Sequence, residues 1–423
     1  TGIVNQFTAS LWGDEAFSAV LSMKSIPEII SIIARDTSPP LYNISEHFWF
    51  GLFGTSEVAI RALSFLYFLI AIFFVYKIGK HLWDKKTGLL ASALTFFNPF
   101  FFAYAFEGRM YSILAAGVSA SMYFFVKRNW VGYVLATTAA LYSHHFAIFA
   151  VFIQFLWFLK EYLWGKKKIA ISILKSFVAI GVLYSPWLLP LYGQTKLVGG
   201  GFWLGTPPLK DLGKLFLTYL NICLIALVVR KWGENFEKAL FLLSWFFGPI
   251  LITWLISQKF TSIFFDRYLL YIIPAAMLLA ASQRRKISLL AIAITMVLFI
   301  WADLFYFTHP IKRPFRELAT YVRQSRRGDD YLINWNSSAH HLWEAKYYGI
   351  PAPLYIPEGT KLPFYVGTAL MTDTDVTSSL PKKLNRVGVI TSGPIEEIMI
   401  SDYTKSEDKT FGSLKFVWFE RKK

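Results

Sequence analysis

Three carboxylates stand close together near the start of the chain. Asp14 and Glu15 lie in Trp12-Gly13-Asp14-Glu15, and Asp36 opens Asp36-Thr37-Ser38-Pro39-Pro40-Leu41-Tyr42. Carboxylates in a loop can take a proton from an attacking group as general base, or ligate a divalent cation. The plainer readings are interfacial solvation or helix capping for Asp14-Glu15, and an Asx turn ahead of Pro39 for Asp36. What raises the chemical reading is their setting. Unpaired charge is heavily penalised beside a low-dielectric phase, and most of the remaining chain is built for such a phase.

Further polar groups recur at the ends of apolar runs. Tyr104-Ala105-Phe106-Glu107-Gly108-Arg109-Met110-Tyr111 places Glu107 and Arg109 where they either snorkel to headgroups or enter a polar site. His144-His145 separates two apolar runs; one such histidine is usually a satisfied structural residue, but a pair beside carboxylates suits metal binding or proton transfer. Phe265-Asp266-Arg267-Tyr268 carries an arginine that either pairs with Asp266 or offers its fork to a lipid phosphate. No spacing matches a structural zinc motif, and metal dependence stays open. Glu107, His144 and His145 are the candidates for a divalent ion. Singly each group reads as structural; their common placement at one set of span ends points to one site.

The elements that must position them are membrane helices. Of 423 residues, 55% are hydrophobic, 18% aromatic and only 17% charged. Apolar runs of spanning length, each needing about 20 residues, occur near 58–79, 89–106, 111–126, 131–164 (long enough for two), 169–192, 212–229, 239–257, 268–283 and 287–306. That predicts about ten spans. The runs are continuous and lack period-two alternation, which disfavours an outer-membrane barrel. The shorter segment 39–54, with Glu46 and His47, suits a helix lying at the membrane surface.

A net charge of +16 would suggest nucleic acid in a soluble chain. Here the cations sit in short loops: Lys77, Lys80, His81, Lys85 and Lys86; Lys127 and Arg128; Lys166-Lys167-Lys168; Arg230 and Lys231; Arg284-Arg285-Lys286. They alternate with loops holding Glu107, Asp211 and Asp266, so the positive-inside rule places the basic loops in the cytoplasm and the carboxylate loops outside. No nucleic-acid partner is expected. That topology asks for a span ahead of Thr1, which suggests a truncated N-terminus. The single Cys223 lies in a predicted span and excludes an intramolecular disulfide. After about 307 the character changes. Helical spacing at Phe315, Leu318, Ala319 and Val322 is followed by strands at 331–335, 353–356, 386–391 and 414–419, with helices at 337–348 and 394–402. The expectation is an α-helical polytopic domain, 1–306, and a smaller extracytoplasmic α/β domain, 307–423. His340-His341 reads as a surface feature of a helix.

Ser10-Leu11-Trp12-Gly13-Asp14-Glu15-Ala16-Phe17-Ser18, Ser38-Pro39-Pro40-Leu41-Tyr42, Leu52-Phe53-Gly54-Thr55-Ser56-Glu57, Glu107-Gly108-Arg109-Met110-Tyr111-Ser112, His144-His145-Phe146 and Phe265-Asp266-Arg267-Tyr268 follow in order. The series resembles the ordered motifs of bacterial C-type (GT-C) membrane glycosyltransferases, in the protein mannosyltransferase and aminoarabinose transferase superfamily. Two departures are the missing first span and Gly108, where alanine is more common. The resemblance implies a polyprenyl-phosphate-linked sugar donor, catalysis on the outer face of the cytoplasmic membrane, and Asp14 as base. On that basis Asp14 and Glu15 are the catalytic candidates. Asp36, Glu107, Arg109, Tyr111, His144, His145, Arg267 and Tyr268 are the substrate-binding ones, with Arg267 facing the leaving phosphate. The expected reaction inverts the anomeric carbon and delivers the sugar to a lipid, glycan or protein acceptor, which the C-terminal domain orients. The competing class is a transporter or flippase for a lipid-linked sugar. It predicts polar residues near mid-membrane and broken spans related by internal repeats, and the sequence shows neither.

Overall fold

The computed structural model describes residues 4–221, 224–225, 228, 235–283, 286–335, 339–356, 361–381 and 384–422. Cys223, Arg230, Lys231, Arg284 and Arg285 lie outside the described residues. The helices, in chain order, begin with α1 (Gly13–Ser22), α2 (Ile26–Ile33), α3 (Leu41–Phe53), α4 (Glu57–Leu82), α5 (Lys85–Phe96) and α6 (Pro99–Ala105). Next come α7 (Tyr111–Lys127), α8 (Trp130–Ser143), α9 (Ala147–Leu163), α10 (Lys167–Tyr184), α11 (Leu188–Gly199) and α12 (Leu209–Tyr219). Then follow α13 (Phe236–Lys259), α14 (Asp266–Leu269), α15 (Ile273–Ser282), α16 (Lys286–Thr308), α17 (Phe315–Ser325) and α18 (His341–Tyr347).

The chain divides into two compact units, and the division is not a single break near 307. Residues 1–36, 43–60 and 309–423 form the first unit; 37–42 and 61–308 form the second. The N-terminal segment joins the C-terminal domain because α1 packs on α18, with Phe17 edge-on to Trp343 at 5.2 Å between ring centroids.

The first unit is built on a six-stranded sheet in the order β3-β2-β1-β4-β6-β5. Its strands are β1 (Tyr331–Trp335), β2 (Leu354–Tyr355), β3 (Val376–Thr377), β4 (Arg386–Thr391), β5 (Tyr403–Phe411) and β6 (Leu414–Arg421). The first four are mutually parallel, while β6 runs antiparallel to both β4 and β5. Side chains alternate across the sheet as the pleat demands. Leu332, Ile390, Phe416 and Trp418 pack with Phe315, Leu318 and Val322 of α17, whereas Ile333, Val387, Val389, Val417 and Phe419 form a second core on the other face. The expected helix at 394–402 is instead a single 3-10 turn, Ile395–Glu397, followed by extended backbone at Ile398 and a left-handed Asp402. Ile395, Ile398 and Ile400 go into the second core, so burial rather than helical periodicity set their spacing. Strand β5 escaped the sequence reading because residues 404–410 are polar and exposed, as suits a charged edge strand.

In the second unit the apolar runs are helical where described. Among the described residues, four helical segments are long and apolar enough to cross a membrane: 57–82, 167–199, 236–259 and 289–308. A fifth counts if α5 and α6, bent by 70°, form one broken span. The bend falls at Asn98-Pro99, where Asn98 accepts from the Phe101 amide as N-cap and Pro99 takes the first helical position. The run 131–164 is two helices broken at His144–Phe146, but α7, α8 and α9 have only 17, 14 and 17 residues. The run 268–283 owes its apolarity to burial inside protein: every residue from Leu269 to Ala281 is buried.

Gly388 tests the sheet packing. It faces Leu332 and Trp418 across the two neighbouring strands, and an added Cβ would come within 2.5 Å of the Phe416 ring. Gly388→Val should therefore overpack the first core by ~1–3 kcal/mol. Thermal unfolding of the full chain in detergent should show a midpoint lowered by about 2–4 °C for each kcal/mol.

Candidate active site

The sequence candidates fall into two clusters, one in each unit. In the first unit, α1 opens with Gly13-Asp14-Glu15, and carboxylates in a first turn are stabilised by the unsatisfied amides and the dipole there. The two acids have different surroundings. The Glu15 carboxylate is fully buried, accepts from the Trp12 amide at 3.4 Å and pairs with Lys312 Nζ at 2.9 Å. Asp14 is partly exposed, and its Oδ1 lies 3.9 Å from Nδ1 of His340. That approach needs a glycine beside it, because a Cβ at Gly13 would sit 2.6 Å from the His340 Cβ. Asp36 is buried just after α2, its amide bonded to the Ile33 carbonyl.

Residues 8–12 are anchored from several directions. Arg316 reaches the Thr8 carbonyl through its guanidinium at 2.8 Å, and its amide donates to Ser10 at 3.1 Å. The Leu11 amide donates to the Tyr348 hydroxyl at 2.9 Å, which in turn donates to Glu57 Oε1 at 2.9 Å. Burial, then the Glu57 charge, pushes the Tyr348 phenol well above its usual range, so it stays a hydrogen-bond donor at any physiological pH. On the far side of α1, Ser22 donates to the buried Glu46 at 2.7 Å, and His47 Nδ1 lies 3.0 Å from the Ser22 carbonyl. Both Glu46 and His47 belong to α3, whose Phe48, Leu52 and Phe53 remain exposed.

In the second unit, Tyr111, His144, Arg267 and Tyr268 come together from three chain turns. The Arg267 guanidinium lies 4.8 Å from the Phe265 ring centroid, 5.6 Å from that of Tyr111 and 5.8 Å from that of Tyr268. Tyr268 stacks on Tyr111 at 6.3 Å and packs against His144 at 5.1 Å. Such a cage of ring faces holds the guanidinium in a defined place. The Asp266 carboxylate accepts from the Arg267 amide at 2.7 Å, and the Asp266 carbonyl accepts from the buried Tyr219 hydroxyl. The Phe146 amide donates to Nδ1 of His144 at 3.1 Å, which assigns the ring proton to Nε2. His145 turns elsewhere: its Nε2 lies 2.8 Å from Gln194 Oε1, and Gln194 donates to the Ser38 carbonyl at 3.1 Å. Glu107 and Arg109 share the tight turn before α7, with the Arg109 amide bonded to the Glu107 carbonyl at 2.7 Å. Among the described residues no group of three or more His, Cys, Asp or Glu is arranged to hold a metal ion, so Glu107, His144 and His145 do not form such a set.

Sequence reasoning missed several residues. Lys312, His340 and Gln194 have no local pattern and become visible only when distant segments meet. His341 is not a surface residue: it is 1% exposed and lies 2.6 Å from Glu344. Polar groups also lie inside the helices. Gln154 accepts from Tyr133 and donates to Ser121, each at 2.8 Å, a satisfied network of the kind that joins helices. Asp303 of α16 is 4% exposed, and neither carboxylate oxygen has a hydrogen-bond partner among the described residues. It had a readable signal, being an acid inside a run of spanning length.

Comparison with known proteins places these clusters in context. Residues 37–189 match the family described as dolichyl-phosphate-mannose-protein mannosyltransferase. ArnT from Cupriavidus metallidurans in the apo state superposes with a TM-score of 0.67 at 14% identity, covering 98% of this chain and 95% of that one. The same protein bound to undecaprenyl phosphate gives 0.66 at 12% identity, with the same coverage. The oligosaccharyltransferase of Archaeoglobus fulgidus, in complex with Zn and sulfate, gives 0.53 at 12% identity over 92% of this chain and 65% of that one. A comparison of the sequence with curated proteins finds no match. The chain has the fold of the C-type membrane glycosyltransferases.

The Glu15–Lys312 pair yields a direct test. Lys312→Met removes the ion-pair partner of a buried carboxylate, which should destabilise the protein by about 3–5 kcal/mol, whereas Glu15→Gln with Lys312→Met should recover most of that loss. Denaturation of the two variants beside the parent measures the difference.

Proposed function

We propose that this integral membrane protein is a glycosyltransferase that moves one sugar from a polyprenyl-phosphate donor to a hydroxyl or amine acceptor on the outer face of the membrane, with inversion at the anomeric carbon. The observation that supports it most is the Arg267 guanidinium held among Tyr111, Phe265 and Tyr268, in a chain with the fold of ArnT. The ArnT structure bound to undecaprenyl phosphate and the mannosyltransferase family match favour a lipid phosphate as the anion Arg267 meets.

In this reading the acceptor O–H or N–H attacks the anomeric carbon and passes its proton to the Asp14 carboxylate. The bond from that carbon to the phosphate oxygen breaks, and its electron pair leaves with the phosphate. Positive charge builds on the sugar ring while negative charge grows on the phosphate, as in other glycosyl transfers with oxocarbenium character. Arg267 meets that charge, where a preorganised cation lowers the barrier most. Asp14 is preferred to Glu15 as base because Glu15 is buried against Lys312. Tyr111, Tyr268 and His144 shape the donor site around Arg267, with His144 Nε2–H as a donor to sugar or phosphate oxygen. Asp36, Glu107, Arg109 and His145 remain candidates for binding sugar hydroxyls. Residues 309–422 fold with the Asp14 loop and supply Lys312 and His340 to it, which suits a domain that orients the acceptor.

The experiment is transfer by the purified protein from a polyprenyl-phosphate sugar. Asp14→Asn should cut turnover by about 10²–10⁴ while donor binding persists, since the amide keeps the shape but cannot take a proton. Retained turnover would hand the base role to Glu15 or Asp36. Arg267→Gln should lower the rate by ~10²–10³ through lost charge stabilisation. A parent protein that binds the donor and never transfers the sugar would favour the transporter reading.

A further inference from the structure

At the ends of the helices that carry the basic loops, a cavity of about 180 Å³ opens among α4, α7, α8, α9, α10 and α13. One water takes roughly 30 Å³ in the liquid, so the space suits a larger guest. Its walls are aromatic and aliphatic, with Phe125, Trp130, Trp157 and Phe241 prominent, and its charged members are Arg128, Lys238, Glu161 and Glu237. This site lies at the opposite helix ends from Glu107, His144 and Arg267, and the proposed transfer reaction does not use it.

The four charges are not equivalent. Glu237 is paired with Lys160, which also lies 4.5 Å from the Trp157 ring. Lys238 donates one hydrogen bond to the Leu82 carbonyl at 2.6 Å and keeps two donors. Glu161 accepts from the Lys166 amide through Oε2, leaving Oε1. The Arg128 amide bonds the Phe125 carbonyl at 3.0 Å, while its exposed guanidinium has no hydrogen bond or ion pair among the described residues. Arg128 also sits at φ +58°, in the left-handed region, as the C-cap of α7. Glycine would adopt that conformation without the steric cost an arginine incurs. First-turn residues of α8 (Trp130), α10 (Ile169) and α13 (Glu237, Lys238) line the same space, so three helix N-termini border it. Helix N-termini favour anions.

We infer that this cavity binds the headgroup of a zwitterionic phospholipid carrying a phosphate and a primary ammonium, as in phosphatidylethanolamine. The phosphate lies with Arg128 and Lys238, and the ammonium with Glu161 Oε1. Tryptophan, as at Trp130 and Trp157, is typical of membrane interfaces. Among the described residues, a guanidinium with no side-chain partner and a carboxylate with one oxygen to spare are both matched by one ligand with both charges. A purely anionic headgroup would leave Glu161 facing like charge.

Native mass spectrometry of the full chain, released from nanodiscs of defined composition, reads the site. The parent should retain one phosphatidylethanolamine per chain, and phosphatidylglycerol at least tenfold less. Arg128→Gly suits the backbone angle, so it should melt no lower than the parent while losing at least tenfold in retained lipid. Glu161→Gln should erase the preference for phosphatidylethanolamine over phosphatidylglycerol. Full retention by Arg128→Gly, equal retention of both lipids by the parent, or displacement of the lipid by stoichiometric glycerophosphoethanolamine would each overturn the assignment.

Discussion

One carboxylate, Glu57, holds the loop that carries Asp14. It accepts from Arg316 at 3.0 Å and from the Tyr348 hydroxyl at 2.9 Å. Those two side chains in turn take hold of the Thr8 carbonyl and the Leu11 amide. The start of α4, the helix α17, the turn after α18 and the strip leading to Asp14 are therefore tied at one point. Charge-assisted hydrogen bonds of this kind are roughly twice as strong as neutral ones, and their geometry is restrictive. A base must be held to within a fraction of an ångström of its target to be useful. The knot at Glu57 supplies that restraint from outside the loop itself, which explains why residues 1–36 and 43–60 belong with the C-terminal sheet and not with residues 61–308.

How much of this was legible depended on whether the signal was local. Strands β1 and β4 were readable residue by residue, because Tyr331–Trp335 and Arg386–Thr391 are short apolar runs bounded by turns. Strand β5 was not, since an exposed edge strand of lysines, acids and threonines looks like a loop. Tyr111, His144, Arg267 and Tyr268 could be nominated from sequence, and the structure does assemble them. The partners of Asp14 and Glu15 could not be, since His340 and Lys312 lie about three hundred positions away and carry no motif. The same holds for Gln194, which has no feature that separates it from any other glutamine near a helix end.

The apolar runs differ in what keeps them from water. Hydropathy records that a segment avoids water, not what replaces the water. Leu269–Ala281 avoids water by lying inside protein, and α7 does so with 13 of its 17 residues buried. Such helices lie against protein on most sides. By contrast, α16 exposes Leu290, Val297, Trp301 and Leu304 while burying Ile292, Thr295, Phe299 and Asp303. One stripe faces protein and the rest is apolar without a protein neighbour, as a lipid-facing helix requires. Of the polar residues that a transporter would need near mid-membrane, Gln154 stands at the middle of α9, whereas Asp303 lies in the last two turns of α16. Gln154 is fully engaged with Tyr133 and Ser121, so it joins helices and does not form a path.

The Asp14-Glu15 dipeptide shows why residue type alone does not assign a base. In an α-helix adjacent residues point about 100° apart, so neighbours in sequence need not share an environment. Here one turns inward to Lys312 and its own helix N-terminus, and the other outward to His340. An inward carboxylate that already pairs with a buried ammonium would lose that ion pair on taking a proton, and would have to admit the acceptor to a site no solvent reaches. The outward one meets neither obstacle. Glu15 is then an electrostatic counterweight that fixes the start of α1 and, through it, the direction in which Asp14 points. The two acids are useful as a pair because their surroundings differ, and that difference is created by Lys312 and His340, residues that a reader of the first forty positions would never weigh.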